Sequence, residues 1–208
     1  MGREAVNLAT KVAPGVEADC VTPEGNPAEK LLDLADQHEG SLLVVGSQGM
    51  NRSVRFLLGG VPHKISHHAV GDVLVVRTGE GRPDRLPERI LAGYDGSVRA
   101  GRALRRAVAL ANASGAQLIV LTVHDDEAAG RVALERAVEL AGAAGADIST
   151  ECRDGDPADG LLDAAADVDL VVVGNRGMTG VQRFVLGGVP NKVSHHIDRD
   201  LLIVKTNE

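Results

Sequence analysis

The chain is almost without aromatic residues. Phe, Trp and Tyr make up 1% of its 208 residues, and Phe56, Phe184 and Tyr94 are the only ones. A folded core must therefore be built from Val, Leu, Ile and Ala. The same scarcity excludes the stacking platforms on which single-stranded nucleic acids are held. Cysteine is nearly as rare. Cys20 and Cys152 lie far apart with no Cys-x-x-Cys pair, so neither a disulfide framework nor a zinc site is readable. An excess of positive charge is also lacking: the net charge is -7 at pH 7. That balance argues against a general DNA binder or a membrane-surface binder. No stretch approaches the roughly 18 consecutive apolar residues of a bilayer span. The first twenty residues include Arg3, Glu4, Lys11, Glu17 and Asp19 and do not read as a secretory leader. The expectation is a cytoplasmic protein with no nucleic-acid partner and no membrane partner. Hydrophobic residues at 44% and charged residues at 25% suit an ordinary globular fold.

What the chain does have is a long internal repeat. Residues 46–78 read GSQGMNRSVRFLLGGVPHKISHHAVGDVLVVRT and residues 174–206 read GNRGMTGVQRFVLGGVPNKVSHHIDRDLLIVKT. The two align without a gap at an offset of 128, and 18 of the 33 positions are identical. Upstream, Gly25-Asn26-Pro27 matches Gly155-Asp156-Pro157 once two residues are gapped. A repeat of this length means two copies of one domain rather than a solenoid of short units. The first copy is assigned to residues 1–78 and the second to residues 88–208. Gly79 to Pro87, polar and rich in Gly and Pro, is read as the linker.

The second copy reads as alternating strands and helices. Apolar runs at Arg89–Tyr94, Gln117–Val123, Asp147–Cys152, Asp169–Val173 and Asp200–Lys205 are strands. Helices lie between them, among them Pro157–Ala166 and one from about Glu127 to Ala144. This alternation predicts an α/β fold with an open, mainly parallel sheet. Nearly continuous apolar strands are expected where helices cover both faces. The first copy supplies a helix at Glu4–Lys11, a strand at Val16–Val21, a helix at Pro27–Gln37 and a strand at Leu42–Val45. It lacks counterparts of the first strand, first helix and second strand, and with them the match to Asp95.

The glycines hold the chemical signal. Gly174 and Gly177 follow an apolar strand, and Gly187-Gly188 precede Val189-Pro190 at a helix start. Gly46, Gly49, Gly59 and Gly60 repeat the spacing. Bare backbone at a helix N-terminus is a ready anion site. In an open α/β sheet, ligands sit beyond the carboxyl ends of the strands at the switch point, where Asp95 and Gly174 fall. The competing reading is that these glycines only shape tight turns.

The Gly-x-x-Gly-x9-Gly-Gly pattern, the early Tyr94-Asp95-Gly96-Ser97 and the terminal strand at 200–204 resemble the universal stress protein family, the tandem form in particular. The resemblance implies an adenine nucleotide alpha-hydrolase-like fold with sheet order 3-2-1-4-5, here a tandem with an incomplete first copy. It implies ATP, ADP or AMP as ligand, with Mg²⁺ as a candidate companion. Asp95 would hold the adenosine end and Val123 would line the adenine pocket. Val173 and Gly174 would contact base and ribose, and Gly177, Gly187, Gly188 and Val189 would cradle the phosphates. Nucleotide-binding members usually place Ser or Thr after the third glycine, where this chain has Gly60 and Gly188. The lost hydroxyl contact corresponds to about 1–3 kcal/mol, so binding is expected to weaken or to shift toward AMP or ADP. The first copy is expected to form no complete site.

Three functions stay open at this point: a nucleotide-binding regulator of the stress response, a dimerising scaffold that binds no nucleotide, and an ATP-hydrolysing enzyme of a related fold. The chain has no Gly-Lys-Ser/Thr lysine, no Gly-x-Gly-x-x-Gly and no Gly-x-Ser-x-Gly. Enzyme therefore ranks last, with at most slow ATP hydrolysis and no catalytic residues to name. His63, His67-His68 and His195-His196 do not have the carboxylate spacing of a metal site. They read as helix-end imidazoles favoured by the C-terminal dipole. Asp125-Asp126-Glu127 is a candidate for Mg²⁺ or a solvated loop. Finally, Asp72–Arg77 and Asp200–Lys205 are apolar edge strands in the family order. They are expected to pair antiparallel as a pseudo-dimer of the two halves. The open edge of Leu42–Val45 favours a homodimer.

Overall fold

The computed structural model describes residues 7, 11, 15, 17–38, 40–47, 59–77, 85–175 and 186–206. Seven strands form one sheet: β1 (Leu42–Gly46), β2 (Asp72–Val76), β3 (Arg89–Gly93), β4 (Gln117–Val123), β5 (Ile148–Arg153), β6 (Leu170–Gly174) and β7 (Asp200–Val204). Helices with both bounds among the described residues accompany them: α1 (Pro27–Asp36), α2 (Gly60–His68), α3 (Val98–Ser114), α4 (Glu127–Gly142), α5 (Pro157–Ala164) and α6 (Gly188–His196). The sheet order is β1-β2-β7-β6-β3-β4-β5. The second copy thus has the expected 3-2-1-4-5 order, read as β5-β4-β3-β6-β7, and all its strand pairs are parallel.

Local sequence fixes the helix ends. Asn26 and Asp156 occupy matching N-caps, each followed by proline. Asn26 Oδ1 accepts the N–H groups of Ala28 and Glu29, and Asp156 Oδ1 those of Ala158 and Asp159. The hydroxyl of Ser97 caps α3 by accepting from Ala100 N–H at 3.0 Å. Gly115 ends that helix at φ +71°, in the left-handed region.

The core is aliphatic and lies on both faces of the sheet. One face packs Val73, Val75, Val171, Val173, Leu201 and Ile203 under α1, α2, α5 and α6. The other packs Ile90, Ala92, Val120, Val172 and Leu202 under α3 and α4. On β1 the side chains alternate, and Leu42 and Val44 remain 50% and 56% exposed. The expected strand at Val16–Val21 does not form where it is described: residues 17–24 are irregular and Val21 is exposed. The expected helix at Glu4–Lys11 falls mostly outside the described residues. Pro157–Ala166 ends earlier than expected, because Ala165–Asp167 tighten into a 3₁₀ turn.

The two halves meet where β2 pairs antiparallel with β7: Val73 faces Ile203, Leu74 faces Leu202 and Val75 faces Leu201. A reciprocal clasp closes both ends of this short ladder. Asp200 Oδ1 accepts Arg77 N–H at 2.7 Å, and Asp72 Oδ1 accepts Lys205 N–H at 2.8 Å. The Arg77 guanidinium donates to Ser194 O and the Lys205 ammonium donates to Ser66 O, each reaching into the other half. Asp200→Ala removes one carboxylate acceptor from this clasp. It should lower the unfolding free energy by about 1–3 kcal/mol, measured by denaturant titration; an unchanged midpoint would show that the clasp does not hold the halves.

Candidate functional site

The β3–α3 turn is built tightly. Tyr94 N–H donates to Leu121 O, and Thr122 Oγ1 donates to Tyr94 O at 2.7 Å, which locks the exit of β3 to β4. Asp95 follows, and its Oδ1 accepts Ser97 N–H at 3.0 Å. Gly96 sits at φ +78°, and a Cβ there would lie 3.2 Å from the Cβ of Ala133 on α4. Only glycine satisfies both the left-handed backbone and this close approach. Tyr94 is buried on the α3 and α4 side, and burial pushes its phenol above the ordinary range.

On the opposite face, Val173 is buried in the core cluster and Val123 packs against the same cluster. Gly160 of α5 approaches so closely that a Cβ there would lie 2.8 Å from Val123 Cγ2. A Cβ on Gly93 would lie 3.2 Å from the Leu161 methyls and 3.6 Å from Val173 Cγ1. Glycine at both places lets α5 settle onto β3 and β4 and form an apolar floor. Gly174 closes β6 opposite Val204.

From there the chain returns at Gly187, the N-cap of α6, whose N–H donates to Asn175 O at 2.9 Å. This corrects the expectation that the glycine N–H groups all point outward: that of Gly187 is bonded within the protein. Gly59 repeats the bond to Ser47 O at 3.0 Å. Gly188 and Val189 come before the first intrahelical hydrogen bond, made by Asn191 N–H to Gly187 O, so helix geometry leaves their N–H groups for an outside acceptor. A Cβ on Gly188 would meet nothing within 4 Å. Gly177 and Gly49 lie outside the described residues.

Asn175 was not singled out by the sequence pattern, because its role depends on the strand beyond it. Its Oδ1 accepts both the N–H and the hydroxyl of Thr206, at 2.9 and 2.7 Å, and both residues are buried. Asp95 also lines a cleft of about 430 Å³ that opens toward α4, with His124, Asp126, Val132 and Arg136 around it. Neither Val123 nor Gly174 lines that cleft. His124 and Arg136 were missed as well, because no local motif marks them. The Mg²⁺ candidate Asp126 caps α4, accepting from Ala128 and Ala129 N–H. Among the described residues, no group of three or more His, Cys, Asp or Glu is arranged to hold a metal ion.

The first half repeats the glycine end of this arrangement but not the rest. Among the described residues, no strand borders β1 on its outer side, where β3 and Asp95 border β6 in the second half. Asn175→Ala would leave two buried donors of Thr206 without their acceptor. It should cost about 2–4 kcal/mol, measured by thermal or denaturant unfolding; a loss below 0.5 kcal/mol on that ~2–4 scale would refute the assigned role.

Comparison with known proteins places this geometry. Residues 2–77 and again residues 87–205 match the model of the universal stress protein family. A universal stress protein of Mycolicibacterium smegmatis is 28% identical over 228 aligned positions, spanning 98% of this chain and 76% of that one. A universal stress protein structure from Archaeoglobus fulgidus superposes with a TM-score of 0.76 at 22% identity, over 99% of this chain and 79% of that one, a likeness of fold. A universal stress protein solved in complex with cAMP shares 36% identity, with a TM-score of 0.52 over 59% of this chain and 99% of its own. Among the described residues, no helix is long and apolar enough to cross a membrane.

Proposed function

The chain belongs to the universal stress protein family, and from that premise we propose that its second half binds an adenine nucleotide as a regulatory ligand. The observation behind this reading is the convergence at one end of the parallel strands. There Val123 and Val173 lie at the ends of two strands of one apolar face, Gly174 closes β6, and Gly187 caps α6 ahead of the bare backbone of Gly188 and Val189. In this reading Val123 and Val173 receive the base, Asp95 and Gly174 the ribose side, and Gly177, Gly187, Gly188 and Val189 the phosphates. Gly187 shapes the cradle, while the N–H groups of its two successors reach the ligand. The relative crystallised with cAMP supports an adenine ligand class. In this reading the role is regulatory rather than catalytic. A nucleotide-free scaffold remains the second reading, favoured by the missing hydroxyl at Gly188 and by the internal bond of Gly187 N–H.

Titration calorimetry with ATP, ADP and AMP separates the two readings. One site per chain is expected, because only the second half has both Asp95 and the glycine set; a stoichiometry near two would place a site in the first half as well. Asp95→Ala should weaken binding about tenfold, the equivalent of one polar contact of ~1.4 kcal/mol, with the fold retained by circular dichroism. Gly188→Ser fits without a clash and should raise affinity for ATP more than for AMP. No binding by the parent or by Gly188→Ser would leave the scaffold reading.

Self-association through β1 belongs to the same proposal. That strand ends the sheet and exposes Leu42 and Val44. Sedimentation should give a homodimer at tens of micromolar, a concentration chosen for a ~micromolar contact; a clean 21.6 kDa monomer would reject it.

A further inference from the structure

The seam between the halves gathers histidines that the nucleotide site does not use. α2 and α6 run over the β2–β7 pairing, and their histidines meet across it. The ring of His63 lies 4.6 Å from that of His67 and 5.3 Å from that of His195, centroid to centroid. The repeat makes this arrangement lopsided: position 63 corresponds to 191, which is Asn, while 67 corresponds to 195. Three imidazoles and one amide therefore fill four equivalent places.

Their surroundings are cationic. His67 faces His63 and His68 of its own helix, Asn191 of α6 and Lys205 at the exit of β7. His195 faces His63 of α2, His196 of its own helix and Arg77 at the exit of β2. The nearby carboxylates of Asp72 and Asp200 accept backbone N–H groups of Lys205 and Arg77. Lys64 and Lys192 of the same two helices are engaged elsewhere, by Glu29 and by Asp156 and Asp159. His67 Nε2 is buried and outside hydrogen-bonding geometry with any described residue.

We propose that the cluster of His63, His67 and His195 makes the seam acid-sensitive, so that protonation pushes α2 and α6 apart and loosens the pairing of β2 with β7. A proton on His67 places positive charge against His63 and Lys205, and one on His195 places it against His63 and Arg77. Burial first, and His63 next, hold both His67 and His195 below the ordinary histidine value of 6.5; the Asn191 amide works the other way at His67 and is outweighed. The opened seam therefore binds more protons than the closed one between the lowered values and 6.5. Stability from these groups is complete above pH 6.5 and is lost as the pH falls through that window. The helix dipole alone, expected to favour charged imidazoles here, is overridden by this crowding.

Amide exchange of the full-length chain, read at residues 73–75 and 201–203 as protection factors, tests this between pH 7.5 and 5. Protection should fall about tenfold per pH unit for each proton taken up, beginning just below pH ~6.5, while residues 118–121 of β4 keep theirs. His63→Asn copies the residue that the second half carries at the matching position, so it should fold, and it should make the loss at pH 5 smaller. Asn191→His adds a fourth imidazole and should make the loss at pH 5 larger. An unchanged loss at pH 5 in both variants, or full protection of the parent at pH 5, would overturn the proposal. Loss of protection at β4 together with the seam would also overturn it, because it would mean global acid unfolding.

Discussion

The β2–β7 pairing is the constraint on which the rest of the structure depends. It is the one antiparallel junction in an otherwise parallel sheet among the described residues. It joins two copies of one motif into a continuous core. Its ladder registers only three residue pairs, so backbone hydrogen bonds, at about 0.5–1.5 kcal/mol net each, cannot dominate. Val73, Val75, Leu201 and Ile203 are fully buried there, and burial of each is worth about 1.5–3 kcal/mol. Hydrophobic burial supplies the energy of the seam. The clasp of Asp72, Arg77, Asp200 and Lys205 supplies its register, since a slip of one residue would separate every carboxylate from its N–H group and move each side chain to the opposite face of the sheet.

The repeat makes that clasp reciprocal, and it also explains which functions the two halves can share. Both halves keep a strand and a glycine-led helix hung on the strand end, by Ser47 O in one and Asn175 O in the other. Only the second half surrounds that unit with further parallel strands. Val123 needs β4, Asp95 needs β3, and the apolar floor needs Leu161 of α5 packed over Gly93. Among the described residues, the glycine motif of the first half lacks these neighbours. The asymmetry between the halves is therefore one of sheet context, not of the motif itself.

Much of this was legible in the sequence because the strands are continuous apolar runs and the repeat fixes their alignment. The placement of Gly187 and Gly188 at a helix start follows from those patterns, whereas the order of the second copy and the pairing of its last strand with that of the first are implied by the family resemblance. The failures have physical causes. Residues 17–21 look apolar enough for a strand, but a strand also needs a neighbour and a covered face, and neither is written locally. Gly187 looks like a free donor until the return of the chain to Asn175 is known. His63, His67 and His195 are 4, 128 and 132 residues apart, and their contact exists only once the two copies have been laid antiparallel.

The seam and the glycine end are also linked by hydrogen bonds between the neighbouring exits of β6 and β7. Gly187 N–H is held by Asn175 O, and Asn175 Oδ1 holds Thr206. Thr206 is preceded by Lys205, whose backbone N–H is held by Asp72 and whose ammonium reaches Ser66 O in the first half. The helix that begins at Gly187 is nine residues long, about 13 Å at 1.5 Å per residue, and its last turn carries His195. A body this short moves as a unit. Any displacement of its histidine end across the seam must tilt its glycine end against Asn175, and the buried Asn175–Thr206 bonds resist that tilt because breaking them strands donors away from water. The same few residues that join the halves therefore set how firmly the bare backbone of Gly188 and Val189 is presented.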